Sequence, residues 1–212
     1  MKRMVSILLV AVMALSFTAC GTKRESAQQV VEKAITAVHE MDWETAQSYW
    51  GADAFDTATD IASDDSAESA TDEQLEKVLE PMMRNLSYTI TGSEEDEQAG
   101  TATVSVDITN INMALVMAEL VKNAVSDALT YAFMPADQQP TDEELDEKYM
   151  ADLTELVTAD DVETVTTSVD IPLTLVDDQW QISSSEEAAD AMMGGLISYV
   201  DSMSEQLGDL AE

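Results

Sequence analysis

Among side chains able to do chemistry, this sequence is rich in one kind and nearly bare of the rest. It holds 43 acidic residues, nine Lys and Arg, one histidine (His39) and one cysteine (Cys20). A Ser–His or Cys–His nucleophile and a soft zinc site both need partners that His39 lacks, so no catalytic or metal-ligating residue is assigned. His39 falls near the end of a helical pattern, where a cap or surface role fits it better than catalysis. Carboxylate acid–base work remains. Asp107 and Asp170 share the polar parity of their strands and would face one another across a sheet. With so many carboxylates, the plainer reading is a wet polar face. The cluster Asp53, Asp56, Asp60, Asp64 and Asp65 lacks the Asp-x-Asp-x-Asp-Gly spacing of a calcium loop and reads as solvated acid. Trp43, Trp50, Tyr88 and Trp180 lie at core-facing spacing, and Trp50 and Tyr88 are the first candidates to wall a small-ligand pocket. The candidate ligand-binding set is therefore Trp50, Tyr88, Asp107 and Asp170, with no cofactor.

Periodicity predicts the elements that position these residues. Ser26 caps a helix with apolar residues at Ala27, Val30, Val31, Ala34, Val38 and Met41, and Gln29 completes a capping box. Asp42 caps a second helix bearing Trp43, Ala46, Tyr49 and Trp50. Residues 51–70 show little periodicity. Thr71 and Gln74 cap a third helix, with Leu75, Val78, Leu79 and Met82, which Pro81 should kink or end. The period then becomes two. Leu86, Tyr88 and Ile90 alternate with hydroxyl residues, an acidic turn occupies 92–100, and Ala102, Val104, Val106 and Ile108 complete a hairpin. A long helix follows, with Met113, Met117, Leu120, Ala124, Ala128 and Tyr131 on one stripe and Glu119, Lys122, Asn123, Ser126 and Asp127 opposite.

Pro135 to Pro140 breaks that helix, and Thr141 with Glu144 caps another carrying Leu145, Tyr149, Leu153 and Leu156. Val165 to Leu175 alternate as a strand in which Pro172 marks an edge or a bend. Asp177-Asp178 turns the chain into Trp180 and Ile182. A single closing helix, capped from Ser184 with Glu187, places Ala189, Met193, Leu196, Val200, Met203 and Leu207 on its stripe. The methionines at 113, 117, 192, 193 and 203 read as core filling.

Lys2 and Arg3 precede the apolar run Met4–Leu15, and small residues lead to Cys20, which is the layout of an export signal. Thr18-Ala19-Cys20 resembles the lipobox of bacterial lipoproteins, in which signal peptidase II cleaves before the cysteine and lipid is attached to its sulfur. Phe17 stands where that family usually has Leu or Val. The resemblance implies a chain held at the membrane by acyl groups, each buried methylene contributing about 0.8 kcal/mol. No later segment reaches the ~18 uninterrupted apolar residues of a membrane helix. Formal charge is -34 for the whole chain, and two units more negative once Lys2 and Arg3 leave with residues 1–19. That balance excludes nucleic acid as a partner and disfavours lying flat on anionic lipid. The 45% of hydrophobic residues, set in periodic segments, argues for a folded core. With one cysteine no internal disulfide can form, so packing must supply the stability.

The run Ala37-Val38-His39-Glu40-Met41-Asp42-Trp43-Glu44-Thr45-Ala46, followed by Tyr49, resembles the opening of small bacterial lipoproteins with nuclear transport factor 2-like domains. The strand ending Asp177-Asp178-Gln179-Trp180-Gln181-Ile182 resembles that family's sheet. Over residues 26–184 the resemblance implies an α+β fold, an antiparallel sheet of about four strands packed against helices as a cone whose interior is open or filled. The helical pair at 112–158 departs from the minimal pattern and reads as an insertion. The expected organisation is a signal peptide at 1–19, a lipidated Cys20 with a tether to residue 25, and one α+β domain over 26–212. The expected role is a lipid-anchored protein on the extracytoplasmic face of the cell membrane, acting as a non-catalytic module for a small ligand or an envelope protein. An enzyme using a buried carboxylate in the cone, and a structural envelope protein self-associating through 112–158, are the alternatives.

Overall fold

A computed structural model of the chain describes residues 24–50, 72–183 and 185–210. The signal segment with Cys20, the acidic run 53–65 and the capping residues Thr71 and Ser184 lie outside them. The described chain forms α1 (Ala27–His39), α2 (Trp43–Trp50), α3 (Asp72–Asn85), β1 (Ser87–Asp96), β2 (Thr101–Ile111), α4 (Met113–Tyr131), α5 (Asp142–Thr158), β3 (Thr164–Val176), β4 (Gln179–Ile182), α6 (Glu186–Met192) and α7 (Leu196–Leu210). The four strands are antiparallel in the order β1-β2-β3-β4. The fold is α+β, a meander sheet with helices packed on its apolar face. Between the paired strands β2 and β3, the chain detours through α4 and α5.

Local chemistry sets most helix starts. Ser26 Oγ accepts from Gln29 N while Gln29 closes the box, and Thr141 with Glu144 does the same for α5. Asp42 Oδ1 accepts from Thr45 N at 3.2 Å. Pro81 lies inside α3, which runs on to Asn85. The acceptor it leaves without a helical donor is the carbonyl of exposed Lys77, where water can serve.

The sheet buries one parity of each central strand. Ala102, Val104, Val106 and Ile108 of β2, with Val169, Ile171 and Leu173 of β3, pack against Val31 and Ile35 of α1, Met82 and Met83 of α3, and Ala188, Ala191 and Met192 of α6. Among the described residues the one buried polar side chain is Asn110, which donates to Met192 O and accepts from Ile111 N. The opposite parity of β2 and β3 is hydroxyl-rich and faces solvent.

Three expectations are corrected. First, 92–100 is not all turn: β1 continues to Asp96, and residues 97–100 turn the chain. A bulge between Ile90 and Gly92 shifts the register, so that Ser93 stands opposite Val104 and Glu95 opposite Ala102. The extra residue inverts parity, which ends the alternation that marks a strand. Second, the closing helix is two helices, α6 and α7, separated at Met193–Gly195. Gly194 (φ 62°) and Gly195 (φ 82°) both take the left-handed region, and Met113 N donates to Gly194 O at 2.9 Å. A Cβ on Gly194 would stand 1.8 Å from Ile111 O, so only glycine permits this approach. Third, α6 is capped by Ser185, and its buried face is Ala188, Ala191 and Met192.

Other signals hold. Asp177 (φ 50°) and Asp178 (φ 63°) make the two-residue turn between β3 and β4, with both central residues left-handed. Pro172 O accepts from Ser183 N, placing the proline's amide edge on the β4 side, where the β4 ladder stops at Ile182.

Candidate functional site

The candidate residues do not converge. Trp50 is 4% exposed, and its indole N–H donates to Ala34 O at 3.3 Å. The Tyr88 hydroxyl lies 3.4 Å from Glu32 O and from Thr36 Oγ1. Both aromatics are thus tied to the backbone or side chains of α1, two residues apart along it, and each polar tip is engaged. Asp107 and Asp170 share the open sheet face but do not oppose one another. The register sets Ser168 opposite Asp107 and Ser105 opposite Asp170, and each serine hydroxyl donates to its aspartate at 2.6 Å. Thr109 and Thr166 pair beside them at 2.7 Å. This face is a ladder of cross-strand polar pairs, which stabilises the sheet modestly and leaves no carboxylate desolvated. His39 is exposed in the last turn of α1, where a cation would favour the helix terminus.

Two sites escaped the sequence reading. At the hairpin-turn end of the sheet, Arg24 meets Asp178 at 2.7 Å and Glu97 at 2.5 Å, and lies 5.6 Å from the centre of the Trp180 ring. Its hydrogen bond to Asp178, then the charge of Glu97, raise the Arg24 guanidinium above its ordinary value. This clamp fastens Arg24 to both turns. Nearby, Glu95 Oε1 accepts from Ala27 N at 2.7 Å, a carboxylate at the start of α1. Such contacts join residues ~70 to ~150 positions apart, and spacing along the chain carries no sign of them.

The second site is a cleft of about 400 Å³ between α4 and α5, lined by Asn123, Ser126, Asp127, Lys148, Asp152 and Glu155, with Leu156 and Ala159. Lys148 Nζ sits 2.7 Å from Asp127 Oδ2 and 2.6 Å from Asp152 Oδ2. Asp127 Oδ2 is shielded from water and has the ammonium as its charge partner. The carboxylates of Asp127 and then Asp152, each within 2.7 Å, push the Lys148 ammonium well above the ordinary lysine range. The amine is therefore held charged, which suits a brace between two helices and not a nucleophile or base. Among the described residues, no group of three or more His, Cys, Asp and Glu is arranged to hold a metal ion.

One surface stands out by its lack of charge. The stripe Met113, Met117, Leu120, Ala124 and Tyr131 is at least half-buried as expected, but Ala128 is exposed. A second apolar side of α4 was not anticipated: Leu115, Val121, Val125 and Leu129 are exposed, with Phe133 just beyond the helix at 90% exposure. The sequence signal was present: Leu115, Ala118, Val121, Val125 and Leu129 are apolar residues of α4 outside its buried stripe.

No family profile matches this chain, and no curated relative does. A solved structure of ycdA from Bacillus subtilis, a candidate lipoprotein, is similar at 12% identity with a TM-score of 0.35. The match covers 84% of this chain and 50% of the other, so this chain spans about half the length of the protein it matches. A likeness at that score carries no argument about fold or function. Among the described residues, no helix is long and apolar enough to cross a membrane.

Proposed function

We propose that this chain is a lipid-anchored protein of the extracytoplasmic face of the cell membrane, working as a non-catalytic interaction module. The observation that carries the anchoring is Cys20, the lone cysteine, placed at the end of an apolar run that follows Lys2 and Arg3. Three residues separate Cys20 from Arg24, which is fixed to both hairpin turns, so the tether spans at most ~14 Å. A lipid on Cys20 would hold the turn end of the sheet near the bilayer.

The non-catalytic reading rests on how the candidate groups are engaged. Large apolar side chains pack the space between sheet and helices, and Trp180, 4% exposed, closes it at β4. Asp107 and Asp170 are outside that interior, on the wet face. Acid catalysis in a cone cavity would require a buried carboxylate, and among the described residues no Asp or Glu is buried. The nuclear transport factor 2-like reading is supported by layout alone, a meander sheet with helices on one face. Cys20→Ser tests the anchoring. The expected result is release of the protein from the membrane fraction or retention of residues 1–19. Unchanged lipid labelling and unchanged sedimentation with membranes would overturn it.

A further inference from the structure

We infer that the free edge of β3, from Thr164 to Asp170, binds an extended basic segment of a partner protein as an added strand. β3 runs for 13 residues, but β4 pairs with it only over Leu173–Val176. Hydrogen bonds at the paired end fix which way the rest of its backbone points. Pro172 has no N–H, and its carbonyl accepts from Ser183 N on the β4 side. Leu175 N donates the other way, to Gly100 O in the turn that leads into β2. Direction alternates along a strand, so Thr164, Thr166, Ser168 and Asp170 turn both N–H and C=O away from β2. The side chains agree. Ser105–Asp170 and Asp107–Ser168 meet at 2.6 Å and Thr109–Thr166 at 2.7 Å, at the pair type whose Cα atoms approach most closely. Among the described residues, these four N–H and four C=O groups have no backbone partner. All four residues are exposed, and so is Thr167, which has the buried parity.

Edge strands are commonly guarded by a bulge, a lysine, a proline or a short length. β1, at the opposite edge, has its bulge near Gly92 and the acids Glu94, Glu95 and Asp96. β4 has only four residues. By contrast, β3 pairs with β2 from Thr164 to Thr174 without a register shift, and Pro172 stands only where β4 begins to pair. A row of donors and acceptors about 6.8 Å apart is matched by another extended backbone, the strand-addition mode of peptide recognition. Charge selects its kind. None of the four strands holds Lys, Arg or His, and every charge on them is Asp or Glu. Exposed Asp170 lies on the free edge itself, and exposed Glu163 immediately precedes Thr164. A Lys or Arg opposite Asp170 makes a favourable cross-strand pair. A second copy of this edge offers no base, and it brings together two chains of charge -34.

This deepens the reading of an interaction module by naming a working edge and a class of partner, and it rests on that reading. The test is fluorescence anisotropy of a labelled peptide of alternating Thr and Lys, about nine residues long, titrated with the full chain in nonionic detergent. Three comparisons isolate the contact. One is the same peptide N-methylated at two adjacent central residues, which blocks both of its edges. Another is a Thr/Glu peptide, and the third is Ser168→Pro, whose lost N–H faces away from β2. The inference predicts a loss of about tenfold for the N-methylated peptide and for Ser168→Pro, and no measurable binding of the Thr/Glu peptide. Hydrogen exchange by NMR reads the same edge. The amides of Thr166, Ser168 and Asp170 are expected to exchange fast in the free chain and to slow when peptide is added, while those of Thr167 and Val169, bonded to β2, stay slow throughout. Should Ser168→Pro disturb folding, Asp170→Lys leaves the backbone alone and is expected to shift preference toward the Thr/Glu peptide. Equal binding of the N-methylated peptide would reduce the attraction to charge and overturn the inference. Absence of binding, or edge amides already slow without peptide, would overturn it as well. A dimer of the unaltered chain at micromolar concentration, abolished by Ser168→Pro, would assign the edge to a second copy and do the same. The titration reads the domain whether or not Cys20 is lipidated, so its failure and that of the anchoring reading are separable.

Discussion

Gly194 is where a single atom decides the packing of two elements. Its carbonyl accepts from Met113 N, the first residue of α4, and its Cα is pressed against the Ile111 carbonyl. Gly194→Ala places a Cβ 1.8 Å from that oxygen and forces a side chain into φ 62°. Backbone strain alone costs about 1–3 kcal/mol, and the clash adds to it. The expected result is a lower denaturant midpoint with an unchanged slope; a midpoint within error of the original would show that the contact yields. Residues of this kind were only partly legible beforehand. The Gly194-Gly195 pair is a visible break in a helical pattern, yet the apolar stripe continues across it, so periodicity alone predicts one helix. Parity alone sets the sheet face of Asp107 and Asp170. Their pairing with serines depends on register, which the alternation of either strand leaves open by steps of two.

At the scale of the element, helix starts were the most readable feature because a cap is a property of four consecutive residues. The box at Thr141 and Glu144 shows what it contributes. Hydrogen bonds from the Thr141 backbone and then its side chain hold the Glu144 carboxyl below its ordinary value. A carboxyl lowered in the folded state stabilises fully above its unfolded pKa, and the contribution is lost as pH falls through the lowered value. Glu144→Gln keeps a capping side chain but removes the titration. The stability gap between the original chain and this variant is therefore expected to be full at neutral pH and to close in acid. A gap that is constant with pH, measured by urea denaturation, would contradict the assignment. Strand ends were less legible. The bulge near Thr91 inverts parity, and Glu95 then takes an inner-parity position where a sequence pattern expects an apolar residue. Its partner there, the amide of Ala27, is 68 positions away. The second apolar side of α4 was visible in composition, but which of its two sides is covered is fixed by α5 and α7.

At the scale of the whole molecule, Arg24, Glu97 and Asp178 close the turn end of the sheet. The proposed anchoring would hold that end at a membrane, and it depends on Cys20. The direct measurement is the intact mass of the full-length gene product extracted from cell membranes. A chain beginning at Cys20 and carrying the added mass of a glyceride and its acyl groups is the predicted result. A chain that retains residues 1–19, or one cut elsewhere with an unmodified Cys20, would contradict the account.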